Sequence, residues 1–470
     1  MTAFLCALLS AIGFYFSIGL GDQWWLAWLA PVPVLWLAFG ETKGWQVFFA
    51  AWLGCALGSA SILRAYLGLL PAPLLALSLL GPSLCFAGSV MGARRVQRAF
   101  GAVPAMLAFA ALWAAFDFLI AFNRGGGSVA TPAAAEVGAP MLIQTASLVG
   151  FTGITFLMGF VAAGIALALR IRKALPAVLA VAVFAANAGF GYVRMSAPPD
   201  GHIRVGLVDT DTRVHAIFRE DGKLTLQTVD AYTAQMSKLK DVRLIVAPEN
   251  TARVMPAWRD ETAGRLVAAA DKANATIVAG FNDWSNGKRH NIAFAATAGG
   301  EMPQAYIKRQ LVPGLETPLY TPGSAPLALA NGTGVEICKD MDFQRMVRSD
   351  EIATRPRLLA VPAWDFDADD WSHARVAILR SVENGVPMAR AARDGLLTLN
   401  DRYGSLVAMK RTGGDFVSLV GDLPLDGRGG NTLYDRIGDA FGWLCAGLGF
   451  GLATASFMRR TKRPAGSRAA

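Results

Sequence analysis

Seven apolar runs, at residues 3–20, 24–40, 45–63, 66–90, 101–121, 147–169 and 174–194, precede a stretch of ordinary soluble composition, and an eighth, at 437–457, follows it. A helix needs roughly 20 such residues to cross about 30 Å of hydrocarbon, and each run has about that length. Lipid offers no partner to a backbone N–H or C=O, so a lone run of this kind is obliged to be helical. The pattern predicts a multi-pass bundle of about eight spans, seven within 1–195 and one at 437–457. It leaves a folded domain at 200–432 and a basic tail at 458–470. The first run has no basic lead-in and is followed at once by more apolar sequence, so it reads as a span rather than a cleaved leader.

Arginines set the expected orientation. Arg94, Arg95 and Arg98 follow the fourth run, Arg170, Arg172 and Lys173 follow the sixth, and the tail reads MRRTKRPAGSRAA. The alternate connections carry little beyond Arg64 and Arg124. Basic turns stay in the cytoplasm, so the 200–432 domain is expected outside; in a bacterium that means an inner-membrane protein with its domain in the periplasm. The net charge of +9 is partly this topogenic arginine. No basic-aromatic stripe accompanies it, so nucleic acid is not an expected partner. Carriers need ionisable groups at mid-membrane, and the spans offer mainly Asp117, near the end of one helix. The bundle therefore reads as a platform and lipid-access route, in a chain expected to act as a monomer.

From about residue 200, strand-like runs (IRVGLV, RLIVA, TIVAGF, NIAFAA, QAYIK, GVEIC, RLLAVP, PMARAA, LLTLN, SLVAM) interleave with helix-like runs near 219–239, 260–273 and 371–384. That alternation argues a layered α/β domain. GxGxxG, GxxxxGK[ST] and GxSxG are absent, and His202, His215, His290 and His373 lack metal-ligand spacing. No cofactor and no metal are expected.

Of five cysteines only Cys338, ending GVEIC, lies outside apolar membrane-like sequence. It has no soluble partner for a disulfide and no second thiol for a metal. Two upstream strands end in Glu249 (LIVAPEN) and Lys308 (AYIK). A carboxylate, an ammonium and a thiol at strand ends make the parts of an activated-thiol acyl-transfer site. Glu249 is the candidate general base and Cys338 the nucleophile. Lys308, with the backbone N–H of Lys339, is the candidate stabiliser of thiolate and oxyanion. Glu316, eight residues beyond Lys308, is a candidate supporting acid.

The order Glu, Lys, Cys, with PE closing one strand, YIKRQLVPGLE after another and IC closing a third, resembles the carbon–nitrogen hydrolase (nitrilase) superfamily. Seven spans before such a domain and one after it resemble its membrane branch, the apolipoprotein N-acyltransferases. Asn291 in HNIA and the stretch SVENGVPMARAARDG (Glu383, Asn384, Gly385, Arg390, Gly395) extend the likeness. The resemblance implies an α-β-β-α sandwich and a two-step reaction. Cys338 takes an acyl chain from a membrane phospholipid as a thioester, and the N-terminal amine of a diacylglyceryl-cysteine apolipoprotein then receives it. Aromatic loops around Trp258, Trp364, Phe366 and Trp371 are expected to form the lips where acyl chains enter. The chain departs from that branch at Lys339-Asp340, where Tyr-Glu is usual, at Phe218 in place of a tryptophan, and at Asp209 to Asp211 in place of QxN. These changes keep a second reading open, a membrane-anchored amidase or acyltransferase acting on another amine or amide. They also predict that the Lys339 ammonium lowers the pKa of the neighbouring thiol.

Overall fold

The computed structural model describes residues 1–123, 125–210, 215–285, 287–427, 429 and 431–459. Arg124, Asp211 and the basic tail beyond Arg459 lie outside the described residues. Among those described, six helices are long and apolar enough to cross a membrane: Gly44–Tyr66, Ala72–Phe100, Ala102–Ile120, Phe151–Ile171, Ala174–Met195 and Ala440–Met458. Two apolar runs give something shorter. Thr2–Ser17 is a helix of 16 residues. The run at 24–40 breaks into Trp24–Leu29 and Val32–Ala38, because Pro31 and Pro33 remove backbone donors and sit most favourably at a helix start. The fourth run also shifts: the preceding helix ends at Tyr66, and the next starts at Ala72, behind Pro71 and Pro73, and runs on to Phe100. Two buried acids within the bundle find donors. Asp117 accepts from Thr131 (2.8 Å) and Thr155 (2.6 Å), and Glu136 from the Trp28 indole (2.6 Å).

The remaining chain forms two sheets. One runs, in spatial order, Val417–Leu425, Gly201–Asp209, Leu244–Val246, Thr276–Asp283, His290–Ala296 and Gln304–Ile307, with Arg253–Val254 pairing Thr276–Asp283 as well. The other runs Leu406–Arg411, Leu396–Asn400, Met388–Arg393, Leu358–Trp364, Thr333–Val335 and Leu327–Ala328. Alternation along each strand decides which layer a side chain joins. Val205, Leu207, Leu358 and Ala360 face the space between the sheets. Val208, Ile245 and Ile277 face helices Gly222–Met236 and Arg259–Ala273. Leu359 and Val361 face helix Asp370–Asn384. The result is the expected α-β-β-α sandwich. The strand Val417–Leu425, absent from the sequence-based expectation, pairs antiparallel with Gly201–Asp209 along its whole length.

The sandwich does not hang from a linker. Val376, Ile378, Leu379 and Val382 of its outer helix belong to the same apolar cluster as Phe14, Phe109, Phe151 and Ile154 of the bundle. Arg375 donates to the carbonyls of Gly19 and Gly21 (2.6 Å each), Gln144 to that of Tyr403 (2.7 Å), and the Phe151 N–H to Glu383 (2.8 Å). Ser128, between two spans, donates through its N–H (2.8 Å) and hydroxyl (2.9 Å) to the Asp342 carbonyl, four residues past Cys338. The membrane loops therefore buttress one end of the sheets.

Candidate active site

That end carries the strand termini singled out above. Glu249 lies three residues beyond Leu244–Val246, buried, with its N–H donating to Ala363 across the sandwich (3.2 Å). Gly280 on the next strand leaves room for this turn: a Cβ there would meet the Glu249 Cα at 2.5 Å. Lys308 directly follows Gln304–Ile307, and its N–H donates to the Asn291 carbonyl (2.8 Å). The Lys308 ammonium donates to Glu249 Oε1 (2.7 Å) and to Glu316 Oε1 and Oε2 (3.0 and 2.8 Å). Asn291 Nδ2 bridges the same two carboxylates, at 2.5 and 2.8 Å. Glu316 also accepts from the Val312 N–H (2.8 Å), which holds its loop in a turn. One ammonium and one amide thus keep two buried carboxylates together, an arrangement that would otherwise be strongly unfavourable.

Cys338 opens a short 3-10 helix, Cys338–Asp342, at φ +44°. A non-glycine residue there costs on the order of 1–3 kcal/mol and persists only where its surroundings impose it. Asp340 imposes it. Its carboxylate accepts from the N–H groups of Ile337 (3.1 Å), Arg309 (3.2 Å) and Gln310 (2.8 Å) and from the Tyr306 hydroxyl (2.8 Å). Asp340 therefore ties the thiol-bearing turn to the segment around Lys308 and has no free face for a substrate. The Cys338 thiol points to the Trp364 carbonyl (3.6 Å). Behind it, Asp365 pairs with Arg390 at 2.5 and 3.0 Å, both buried.

The charges are arranged for proton transfer. Burial pushes the Cys338 thiol well above its ordinary value, the Glu249 charge adds to this, and Lys308 opposes it. Burial raises Glu249, Lys308 offsets part of that, and Glu316 adds to it. Burial disfavours the Lys308 ammonium, but the two carboxylates outweigh it and hold the group well above the usual lysine range. Burial also works against the Glu316 carboxylate, yet Lys308 keeps it below the ordinary range. These shifts favour a neutral thiol at Cys338, an ammonium at Lys308 and a carboxylate at Glu316, and they raise the proton affinity of Glu249. A raised carboxylate beside a thiol is a base whose proton affinity approaches what general-base transfer requires.

Lys339 differs from the expectation. Its ammonium pairs with Asp342 (3.2 Å) and lies over the Phe343 ring, so its charge is neutralised away from the thiol. The pH dependence of Cys338 alkylation should superimpose in wild type and Lys339→Tyr; a curve moved to higher pH in the variant would show that the cation does act on the thiol. Trp364 reaches the site through its carbonyl, while its indole donates to Asp394 (2.7 Å). Phe366 packs on Tyr66, whose hydroxyl bonds to Asp369 and to His373 (3.2 Å), and Trp371 packs against the membrane cluster. Trp258 is elsewhere: its indole donates to the Arg253 carbonyl (3.1 Å) and its ring covers Gly222, at the start of an outer helix. Phe218 is 65% exposed, and its carbonyl accepts from Arg253 (3.1 Å). The four aromatics do not form one lip, because long-range packing rather than their hydrophobicity places each ring. Asp365 and the Tyr66–Asp369–His373 group were not foreseen. Only their closeness to the aromatic run after Trp364 could have signalled them.

Two stacked sheets flanked by helices, with a cysteine at the end of one strand, define a carbon–nitrogen hydrolase fold. A carbon–nitrogen hydrolase family model matches residues 209–409, and an apolipoprotein N-acyltransferase N-terminal domain model matches 7–164. The chain belongs to the apolipoprotein N-acyltransferase family, the membrane branch of that superfamily. It is 24% identical over 485 residues to an apolipoprotein N-acyltransferase from Geobacter metallireducens, covering 93% of this chain and 92% of that one. It is 26% identical over 431 residues to another from Allorhizobium ampelinum, covering 83% and 77%. A solved carbon–nitrogen hydrolase superfamily protein from Xanthomonas campestris is 20% identical, with a TM-score of 0.40 and coverage of 47% and 90%.

Proposed function

We propose that this protein moves an acyl chain from a membrane phospholipid, through a thioester on Cys338, to the N-terminal amine of a diacylglyceryl-cysteine apolipoprotein. Its relatives' name supports the acceptor. The observation that carries the chemistry is the Lys308 ammonium locked between Glu249 and Glu316, its charge and that of Glu249 both acting on the Cys338 thiol. Glu249 takes the Cys338 proton as sulfur attacks the ester carbonyl. The oxyanion is held by Lys308 and by the Lys339 N–H, which sits in the first turn of its helix and has no intrahelical acceptor. Collapse expels the lysophospholipid oxygen, which takes the proton back from Glu249. The acceptor amine then attacks the thioester carbonyl and loses its proton to Glu249. The departing sulfur recovers it.

Lys308→Ala should slow acyl-enzyme formation at least ~10²-fold, the scale of losing one oxyanion donor. Intact-mass measurement of the protein mixed with phospholipid reads this; formation at the native rate would remove Lys308 from the step. The acceptor is tested by the mass of a reporter lipoprotein made with and without this protein in cells depleted of their own N-acyltransferase. An unchanged mass favours a different amine or amide. The ground for that second reading weakens once Lys339 and Asp340 are placed, because both are taken up by structural partners.

Access to exported lipoproteins requires the sandwich to face the periplasm. A reporter inserted near Gly201 should be active only there, and one fused near Arg463 only in the cytoplasm; the reverse pattern would exclude the proposed acceptor.

A further inference from the structure

We infer a second site on the rim of this active site, a phosphate clamp formed by Arg253 and Arg289 on the Trp284 ring, which receives the phosphodiester of the acyl donor. The inference rests on the phospholipid donor proposed above. Each guanidinium carbon lies 3.9 Å from the indole centroid, so one ring brings two cations together. Among the described residues neither arginine has a carboxylate partner. Asp283, the acid nearest Arg289 in sequence, is taken by Arg259 (3.2 Å) and by the Ser285 N–H (2.9 Å); Glu249, the one nearest Arg253, is held by Lys308 and Asn291, and Glu220 acts on Arg253 only at longer range. Lys288 is exposed beside Arg289 and adds positive charge.

A second observation points the same way. Arg253 Nε, Trp284 Nε1 and Ser285 Oγ are buried atoms with no hydrogen-bond partner. All three can donate, and a buried donor left unpaired costs on the order of 1–3 kcal/mol. An anion can accept from all three: the guanidinium and the indole only donate, and the Ser285 hydroxyl can turn its O–H toward the ligand. Among the described residues Arg289 makes no side-chain hydrogen bond, so it can swing aside and open the others to a ligand. Guanidinium forks suit phosphate oxygens in particular.

The clamp is next to the chemistry. Arg253 stands opposite Asn282, and Asn282 stands opposite Asn291, which holds Glu249 and Glu316. Adjacent strands are about 4.8 Å apart, so Arg253 starts roughly 10 Å from Asn291, within reach of a glycerol phosphate whose ester lies at Cys338. Tyr320 donates to Asn282 (2.6 Å) and the Thr321 N–H to the Arg289 carbonyl (2.8 Å), tying the clamp to the loop that carries Glu316. Phe218 decides between a lipid and an acidic peptide. Its carbonyl is fixed by Arg253 while its ring is 65% exposed, and cations beside an exposed aromatic match a headgroup region above acyl chains.

The test uses the full-length protein in detergent micelles and follows acyl-enzyme formation with no acceptor present. Phosphatidylglycerol is one donor, and p-nitrophenyl palmitate, which has no phosphate, is the other. Arg289→Gln and Arg253→Gln should each raise the half-saturating fraction of phosphatidylglycerol about tenfold, the scale of one charge-assisted hydrogen bond. The saturating rate, and all kinetics with p-nitrophenyl palmitate, should be unchanged. Arg289→Gln carries particular weight, because among the described residues the exposed Arg289 side chain makes no hydrogen bond and its replacement should leave the fold intact. Unchanged half-saturation, or equal losses with both donors, would overturn the clamp. A deficit seen only when a lipopeptide acceptor is added would assign these arginines to the acceptor instead. Wild type that reacts with p-nitrophenyl palmitate but with no phospholipid would overturn the donor assignment itself, and the clamp with it.

Discussion

Replacing Cys338 with serine is expected to abolish acyl transfer, by at least ~10⁴-fold, while the protein stays folded and inserted. The surroundings already push the thiol well above its ordinary pKa, so in the proposed mechanism the nucleophile is activated by handing a proton to Glu249 during attack. A serine hydroxyl is far less acidic, and the same carboxylate cannot deprotonate it at a useful rate. The fold should not notice the change. Sulfur makes one hydrogen bond, to the Trp364 carbonyl at 3.6 Å, and the backbone at φ +44° is held by Asp340 rather than by the side chain. The measurement is the acyl adduct by intact mass, with size-exclusion chromatography as the control for folding. A serine variant that turns over like wild type would mean that another residue is the nucleophile.

Glu249→Gln should be nearly as damaging, with acylation slowed by about 10²–10⁴-fold, since an amide cannot accept the thiol proton. A second effect of opposite sign separates this base role from simple disruption. The Glu249 charge is one cause of the raised thiol pKa, so removing it should lower that pKa and speed alkylation of Cys338 by iodoacetamide near neutral pH. Slower acylation together with faster alkylation identifies Glu249 as the base; slowing of both would indicate a collapsed site. The wild-type pH profile follows from the same charge. With Glu249 as the proposed base, acylation requires it ionised, and burial raises its pKa, so the acidic limb should lie above the ordinary carboxylate value of 4.5 and activity should rise with pH through it.

Much of this protein is written along the chain because it depends on local pattern. Apolar runs in lipid have few outcomes, so the bundle follows from counting residues, and alternation of period two marks the strands whether or not their partners are known. Glu249, Lys308 and Cys338 stood out because a polar or reactive residue closing an apolar strand is a local feature. Even the breaks at Pro31, Pro33 and Pro71 follow local rules, although hydropathy alone passed over them. Partner choice is not local. Nothing near Asp340 announces that Tyr306, Arg309 and Gln310, some thirty residues upstream, converge on it. The same holds for Val417–Leu425 beside Gly201–Asp209, for Arg390 on Asp365, and for Ser128 on the Asp342 carbonyl. Each contact is selected by burial, since a charged or polar group removed from water must find whichever partner the packed layers bring to it. Side-chain chemistry along the chain limits what the site can do, and packing between distant segments determines which residues take part.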